Sequence, residues 1–382
     1  MTRLLSTFLT FMLLTLVIPT VSFAEGDAMW FETMEDTSAV AEKTGKSFTD
    51  RIVLAPVPMI NPTLGGGIIG VGMYMHPEDD FGNDSQGENN ATRHSISGVA
   101  GMLSTNRSWA VGGFHKGFYA NDKFRGTALL GYGEFNLKFY GIGDDSILRD
   151  RPIKYTANIT AFQPTFLAKI SDNWFIGPRY KLFNWHLGFN LSELHNKLPD
   201  LKQSFTTGGF GLAGEWDTTD HSVYATKGGK FEFSLMDYRD VWGGDLTYAK
   251  SEMNYNHYWS PTDRLVLAGR ADLNLSTGST PFFDMPFLHL RGFPYAQYID
   301  KQSASIQAEA RYEISKKWAA NLFGGLGWIG ESPKELYKRP VIPTGGAGIR
   351  YLISEEQRMY MGMEAAFGPD SKALYFRIGE YF

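Results

Sequence analysis

The chain has no cysteine among its 382 residues, so neither disulfides nor thiolate ligands contribute to its structure. After residue 24 it also lacks any apolar run approaching the roughly 20 residues of a membrane-spanning helix. It has no excess of basic residues, because its formal net charge is −5. These absences exclude a disulfide-stabilised domain and a helical membrane protein, and we expect no nucleic-acid partner.

The signatures of common catalytic and cofactor sites are also missing. No Gly-x-Ser-x-Gly motif and no Gly-Lys-Ser/Thr phosphate loop occurs. Residues 209–214 fit Gly-x-Gly-x-x-Gly by letter, but they open no helix. The histidines show no metal-ligand spacing. We therefore expect no catalytic residue, no cofactor, no metal and no enzymatic activity. A Ser–His pair assembled from separate strands for lipid chemistry stays open as the weakest alternative.

The N-terminal residues have the features of a removable secretion signal. Arg3 precedes an apolar run, and Ser22-Phe23-Ala24 places small residues before a cleavage point. Residues 1–24 are therefore predicted to be a signal peptide. Residues 25–50 are acidic and weakly patterned, which favours a periplasmic leader over a short interfacial helix. Residues 51–382 remain for the folded domain.

What the sequence has in abundance is alternation. Between residues 264 and 276 one parity carries Leu265, Leu267, Ala271, Leu273 and Leu275, and the other carries Arg270, Asp272 and Asn274. Successive side chains of a strand point to opposite faces, so such a run has one apolar and one charged face. About 16 segments of this kind follow residue 51, an even number typical of bacterial outer-membrane barrels. We predict an all-β fold, a transmembrane antiparallel β-barrel of about 16 strands with a charged lumen, both termini periplasmic.

In the last predicted strand, residues 372–382, the even-numbered positions carry a set of large apolar residues that begins with Leu374. Phe376, Ile378 and the final Phe382 belong to that set. An aromatic residue ending an alternating strand is typical of barrels recognised by the outer-membrane assembly machinery. We therefore expect outer-membrane lipid and that machinery among the partners of the chain. Glu380 interrupts the apolar face near the end, where we expect it to reach the lipid headgroups.

The longest non-alternating insert of the second half is residues 281–295. It lies between two of the clearest strands, and its centre reads Leu290, Arg291, Gly292, Phe293. A long loop that carries an arginine next to charged strand faces is a candidate for folding back into the barrel. We predict that it does so from the extracellular side.

Four segments in this order resemble one family, the BamA/TamA superfamily of outer-membrane barrels, also called bacterial surface antigens. The segments are 56–65, 139–145, 217–228 and 290–293. Leu290 to Phe293 is similar to the family hallmark Val/Leu-Arg-Gly-Phe/Tyr, which lies on an extracellular loop that dips into the barrel. Residues 139–145 resemble its Tyr-Gly-Ile-Gly-Asn element. The resemblance covers residues 51–382.

This chain departs from the family pattern at several points. In the turn of residues 217–228, Thr219 replaces an arginine and Ala225 a proline. The family receives the loop arginine on Phe-x-Asp, which here reads Phe323-Gly324-Gly325 and has lost its acid. Phe323 is still predicted to pack on Arg291. By parity, the acids that face the lumen and can pair with Arg291 are Glu309, Glu313 and Glu364. The alternative is an exposed loop arginine.

The resemblance also implies functions. Members that assemble or secrete proteins carry periplasmic POTRA domains, and residues 25–50 are too few for one, so we expect the branch without them. The implied role is insertion or translocation of protein or lipid through a weak seam between the first and last strands. Pro56 and Pro58, which cannot donate to a ladder, suit such a seam. An unfolded membrane protein or a separate periplasmic protein would then be a partner. A loop-gated pore or solute transporter is the alternative.

Overall fold

The structure is a computed structural model. It describes residues 51–77, 95–190, 201–221, 224–336, 338–355, 358–369 and 371–382. The predicted signal peptide, residues 1–24, and the predicted leader, residues 25–50, lie outside the described residues.

Sixteen antiparallel strands form one closed barrel, each paired with its neighbours in sequence and β1 with β16. This confirms the predicted fold class. The strands are β1 Ile52–Asn61, β2 Gly65–Met75, β3 Ile96–Ser104, β4 Trp109–Tyr119, β5 Phe124–Phe139, β6 Ile153–Ser171, β7 Trp174–Phe189, β8 Leu201–Asp217, β9 Gly228–Tyr238, β10 Tyr248–Thr262, β11 Leu265–Gly278, β12 Gln302–Glu313, β13 Trp318–Gly330, β14 Ile342–Ser354, β15 Met359–Gly368 and β16 Ser371–Ile378.

Helical structure is confined to short segments in the described part of the chain. Two 3₁₀ turns span Asp240–Trp242 and Phe282–Asp284, and one α-helical turn spans Pro333–Leu336. Among the described residues, no helix has the length and apolar character needed to cross a membrane.

The outer face of the barrel is apolar. Leu54, Val99, Leu103 and Leu322 are each about two-thirds exposed, and they point away from the lumen. Large apolar surface of this extent is unfavourable in water and suits contact with acyl chains. The apolar residues of the alternating segments therefore face outward around the whole barrel, as the sequence predicted.

The interior has two unlike walls, and this corrects the expectation of a lumen charged all round. Along β1–β7 the inward side chains are mainly apolar, among them Val57, Ile69, Met102, Phe135 and Trp185. Along β10–β16 the buried inward side chains are mainly polar. They include Lys250, Glu252, Asn254, Arg270, Asp272, Glu309, Arg311, Arg350 and Glu364. Strands of the first half are thus apolar on both faces, so period-two alternation is weaker in their sequences than in those of the second half.

The seam between β1 and β16 is much shorter than the other strand junctions. A single pair of residues, Ile60 and Phe376, lies opposite each other in the β-ladder between β1 and β16, and we call this a registered pair. By contrast, β15 and β16 pair continuously from Met361 with Ile378 to Gly368 with Ser371. Toward the start of β1, residues 52–59 have no registered partner on β16. The barrel is therefore closed, but its closing junction holds few ladder hydrogen bonds.

The predicted strand 372–382 is wrong at its end. β16 stops at Ile378, and Gly379 turns the chain with a φ of 85° that favours glycine. Phe376 lies at the seam, but Ile378 is only 1% exposed and Phe382 packs inside against Tyr258. Buried charges opposite the chain end, described below, draw it inward. The last four residues therefore lie in the lumen instead of facing lipid.

Candidate functional site

The inward loop is the connection between β11 and β12. Its residues 287–293 are all buried, and Arg291 is 1% exposed. Gly292 has a φ of 113°, a backbone conformation that L side chains rarely adopt. Its N–H donates to the hydroxyl of Tyr375 at 2.9 Å. The hydroxyls of Thr344 and Ser371 donate to the carbonyls of Arg291 and Gly292. The loop backbone is therefore held by β14 and β16.

Arg291 is held by two carboxylates and two aromatic rings. Its Nη1 lies 2.5 Å from Glu309 Oε2 and 3.3 Å from Glu364 Oε2, with all three side chains fully buried. Its Cζ lies 3.4 Å from the ring centre of Phe323 and 4.5 Å from that of Tyr381. Ring stacking and pairing with carboxylates compensate the guanidinium for part of its lost hydration.

The surrounding ion pairs form one network. Arg350 lies 2.8 Å from Glu309 and 3.0 Å from Glu364, and so joins the two carboxylates. Arg311 lies 2.8 Å from Glu309 and 3.1 Å from Glu380. Each acid is shared by more than one arginine, so the network is cross-linked. Removing one member leaves the others charged and buried, which is costly.

The network explains where the chain end goes. Glu380 pairs with Arg350 and Arg311, and the carbonyl of Phe382 accepts a hydrogen bond from Arg311 at 2.5 Å. Glu380 was expected to reach the lipid headgroups; it instead lies in the lumen. The favourable pairing of a buried carboxylate with two guanidiniums outweighs continued strand pairing here.

Of the acids chosen by parity, the structure brings Glu309 and Glu364 to Arg291, together with Phe323. Glu313 is not part of the network and bonds Tyr360 instead. Residues that sequence reasoning did not assign to the site complete it: Arg311, Arg350, Arg377, Glu380 and Tyr381. The strand residues among them face the lumen by the same parity rule, but that rule gives a face and not a partner.

The loop also bridges the two walls of the lumen. Phe283 packs on Trp185 of the apolar wall with ring centres 4.7 Å apart. The next residue, Asp284, lies 2.6 Å from Lys250 Nζ on the polar wall and accepts a hydrogen bond from Tyr248. The single turn Phe282–Asp284 therefore presents an apolar side chain to one wall and a carboxylate to the other.

Two other segments quoted for the resemblance meet this loop. Tyr295 N–H donates to Thr63 Oγ1 at 2.6 Å in the β1–β2 turn. Gly143 N–H, in the β5–β6 connection, donates to Ile299 O at 2.9 Å. Three of the four segments therefore lie together around the loop.

The fourth segment is the structured turn predicted between β8 and β9. Asp217 accepts hydrogen bonds from Thr219, and Asp220 accepts them from the N–H groups of Thr226 and Lys227 at 2.8 and 3.0 Å. Burial alone would raise the pKa of Asp220, but the hydrogen bonds from Thr226 and Lys227 lower it. These carboxylates cap backbone donors, which is a structural role.

One Ser–His arrangement faces outward. Ser97 Oγ lies 2.8 Å from His115 Nδ1 and 2.8 Å from His76 Nε2, and His115 Nε2 lies 2.7 Å from Tyr119 Oη. Ser97 shares its face with the exposed Val99, so the group lies on the outer surface. The described part of the chain contains no group of three or more histidine and acidic residues that could hold a metal.

The comparisons with known proteins concern the fold. No family model and no curated protein matches the chain. It is similar to BamA from Haemophilus ducreyi lacking POTRA domains 1–3, at 11% identity and a TM-score of 0.57 over 86% of this chain and 70% of that one. It is similar to CdiB from Escherichia coli, at 10% identity and a TM-score of 0.58 over 88% and 63%.

It is also similar to CdiB from Acinetobacter baumannii, at 11% identity and a TM-score of 0.53 over 86% and 60%. The chain thus spans 60% to 70% of the length of these three proteins. At this identity the similarity shows a shared barrel fold.

Proposed function

We propose that the protein is an integral barrel of the Gram-negative outer membrane that inserts or translocates protein or lipid through its β1–β16 seam. The observation that carries the proposal is the single registered pair, Ile60 with Phe376, at that junction. A short junction costs little to open, and an opened edge of β1 offers unpaired N–H and C=O groups to an incoming strand.

The inward chain end supports the same proposal. Because Glu380 and Phe382 are held by lumen arginines, the end of β16 is directed away from β1. Pro56 and Pro58 lack N–H groups, which further limits pairing along β1. We propose outer-membrane lipid, the machinery that inserts the barrel itself, and an unfolded membrane protein or a periplasmic protein as partners. We also propose that both chain ends lie in the periplasm and that the role is not enzymatic.

The test is the folding rate of a labelled outer-membrane barrel into liposomes, with and without this protein embedded. The variant Ile60→Cys/Phe376→Cys places a disulfide across the seam. The variant Leu267→Cys/Ala310→Cys places one across the extended β11–β12 junction and is the matched control. Acceleration that oxidation removes only in the seam variant supports the proposal. No acceleration, or equal acceleration by the oxidised seam variant, contradicts it.

A second candidate is a loop-gated pore or solute transporter. The observation that favours it is the position of residues 281–299 inside the lumen, held by Arg291 on one wall and Phe283 on the other. This candidate predicts that deleting residues 281–299 raises single-channel conductance in planar bilayers. Unchanged conductance after the deletion would exclude it.

A further inference from the structure

A cavity of about 60 Å³ lies beside the seam. Its walls come from β1 and the β1–β2 turn, from β16, and from the inward loop. By the same measure a water molecule needs about 10–15 Å³, so the cavity holds several waters or one small anion. Most of the lining is apolar and includes Ile60 and Phe376, and its polar side chains include those of Asn61, His289 and Arg377.

Asn61, at the end of β1, contributes the first polar group. It is 6% exposed, and its Oδ1 accepts from the N–H groups of Thr63 and Leu64 at 3.0 and 2.8 Å. Those two bonds fix which end of the amide is the oxygen. Its Nδ2 is buried and meets no acceptor among the described residues. Asn61 is therefore an oriented donor without a partner there.

His289, from the inward loop, contributes the second polar group of the cavity. It is 5% exposed, and its Nδ1 lies 3.0 Å from Asn274 Nδ2, an amide that can only donate. The ring proton must then be on Nε2, which also meets no acceptor in the described part of the chain. Burial lowers the pKa of His289 to about 4, so the ring is neutral at neutral pH and Nε2–H is a donor.

Arg377, near the end of β16, contributes the third polar group of the cavity, and this group carries a positive charge. It is 6% exposed, and Nη2 lies 3.4 Å from Glu364, a carboxylate already shared with Arg291 and Arg350. Its Nε and Nη1 are buried and find no acceptor within the described ranges. A buried guanidinium with two unpaired N–H groups is unfavourable unless something accepts from it.

We infer that this cavity is an anion site, formed by Asn61, His289 and Arg377, that binds a phosphate group. Among the lining residues, every buried side-chain polar atom that has no partner in the described part of the chain is a donor, and one donor group is cationic. A ligand that offers several acceptor oxygens and negative charge complements such a set. A phosphate group does so, and arginine is well suited to bind one.

The phosphate has two possible sources, a lipid headgroup or inorganic phosphate. The position of the cavity beside the seam, under Ile60 and Phe376, gives a membrane lipid a route to it, with acyl chains left on the apolar exterior. The test measures binding of phosphate and not insertion of another barrel, so the site is tested separately from the proposed insertion role.

The test is isothermal titration of the purified full chain in octyl glucoside, an uncharged detergent. The ligands are inorganic phosphate, short-chain phosphatidylglycerol and the uncharged diacylglycerol with the same chains. We expect phosphatidylglycerol to bind at least about tenfold more tightly than diacylglycerol. Binding of phosphatidylglycerol alone identifies a headgroup, and binding of inorganic phosphate identifies a soluble source. Failure of both phosphate ligands to bind overturns the inference.

The decisive variant is Asn61→Asp. It keeps the oxygen that caps Thr63 and Leu64 but replaces the orphan donor with negative charge, so we expect binding to weaken by about tenfold or more. Asn256→Asp is the control, because Asn256 is equally buried on β10 and does not line the cavity. Unchanged binding in Asn61→Asp overturns the inference. If that variant does not fold, Arg377→Gln is measured in its place, with the same expectation.

Discussion

Arg291 Nη1 lies 2.5 Å from Oε2 of Glu309, which is 18 residues further along the chain, and the pair is buried inside the barrel. The pair ties the loop to β12, and Glu364 on β15 extends the tie to the far side of β13 and β14. One side chain thus fixes a loop to strands that are not adjacent in the sheet.

We expect Arg291→Ala to lower the free energy of unfolding by about 3 kcal/mol or more, because it leaves two buried carboxylates with one fewer counter-charge. Guanidinium unfolding in detergent micelles, followed by tryptophan fluorescence, measures it. Arg239→Ala is the control, since the Arg239–Asp237 pair is largely exposed and is worth under about 1 kcal/mol. Equal stability of Arg291→Ala and wild type would show that the loop is not held by this pair.

Glu309→Gln and Glu313→Gln form a matched pair on β12. Glu309 contacts Arg291, Arg311 and Arg350, so we expect its neutralisation to destabilise the barrel by about 3 kcal/mol. Glu313 lies outside the network, and its change should cost less than about 1 kcal/mol. The midpoint of guanidinium unfolding distinguishes them, and similar midpoints for the two variants would contradict the assignment.

The short seam predicts uneven hydrogen exchange. In an antiparallel pair, about half of the amides of a strand point to each neighbour. We expect the amides of residues 52–59 that point away from β2 to exchange faster than those of β11, which is paired on both sides. Exchange measured peptide by peptide in micelles tests this. Equal protection of β1 and β11 would mean that β1 and β16 pair along their length in solution.

The outward Ser97–His115 pair is expected not to act as a nucleophile. The N–H groups of its neighbours on β3 are used in the ladders with β2 and β4. They are therefore not free to donate hydrogen bonds to an oxyanion beside Ser97 Oγ. A fluorophosphonate probe should therefore label wild type and Ser97→Ala equally weakly. Labelling that depends on Ser97 would contradict this expectation and support the alternative that the barrel is a lipid-modifying enzyme.

The turn at Asp220 gives a pH dependence of known sign. Its pKa is lowered in the folded state by hydrogen bonds to the charged form, so its stabilisation is complete above the unfolded pKa. It is lost as the pH falls through the lowered folded pKa. We expect Asp220→Asn to remove this acid-dependent part of the unfolding curve, and an unchanged curve would show that the turn does not contribute.

Sequence reasoning found the loop and its partners for a simple reason. Period-two alternation fixes which face of a strand each side chain occupies, so Glu309, Glu364 and Phe323 could be placed in the lumen with Arg291. The same parity rule also selected Glu313, because parity gives the face on which a side chain lies and not its position along the barrel axis. Only the register, Glu309 opposite Ala268 and Phe323, separates Glu309 from Glu313.

The sequence by itself determined the closed antiparallel barrel, because backbone pairing in an apolar surround leaves few other solutions for sixteen alternating segments. Only the tertiary structure decided that the interior has an apolar and a charged wall, that the chain end turns inward, and that one registered pair closes the seam. These features depend on which charges meet across the lumen. Such contacts join residues far apart in the chain, and no local pattern records them.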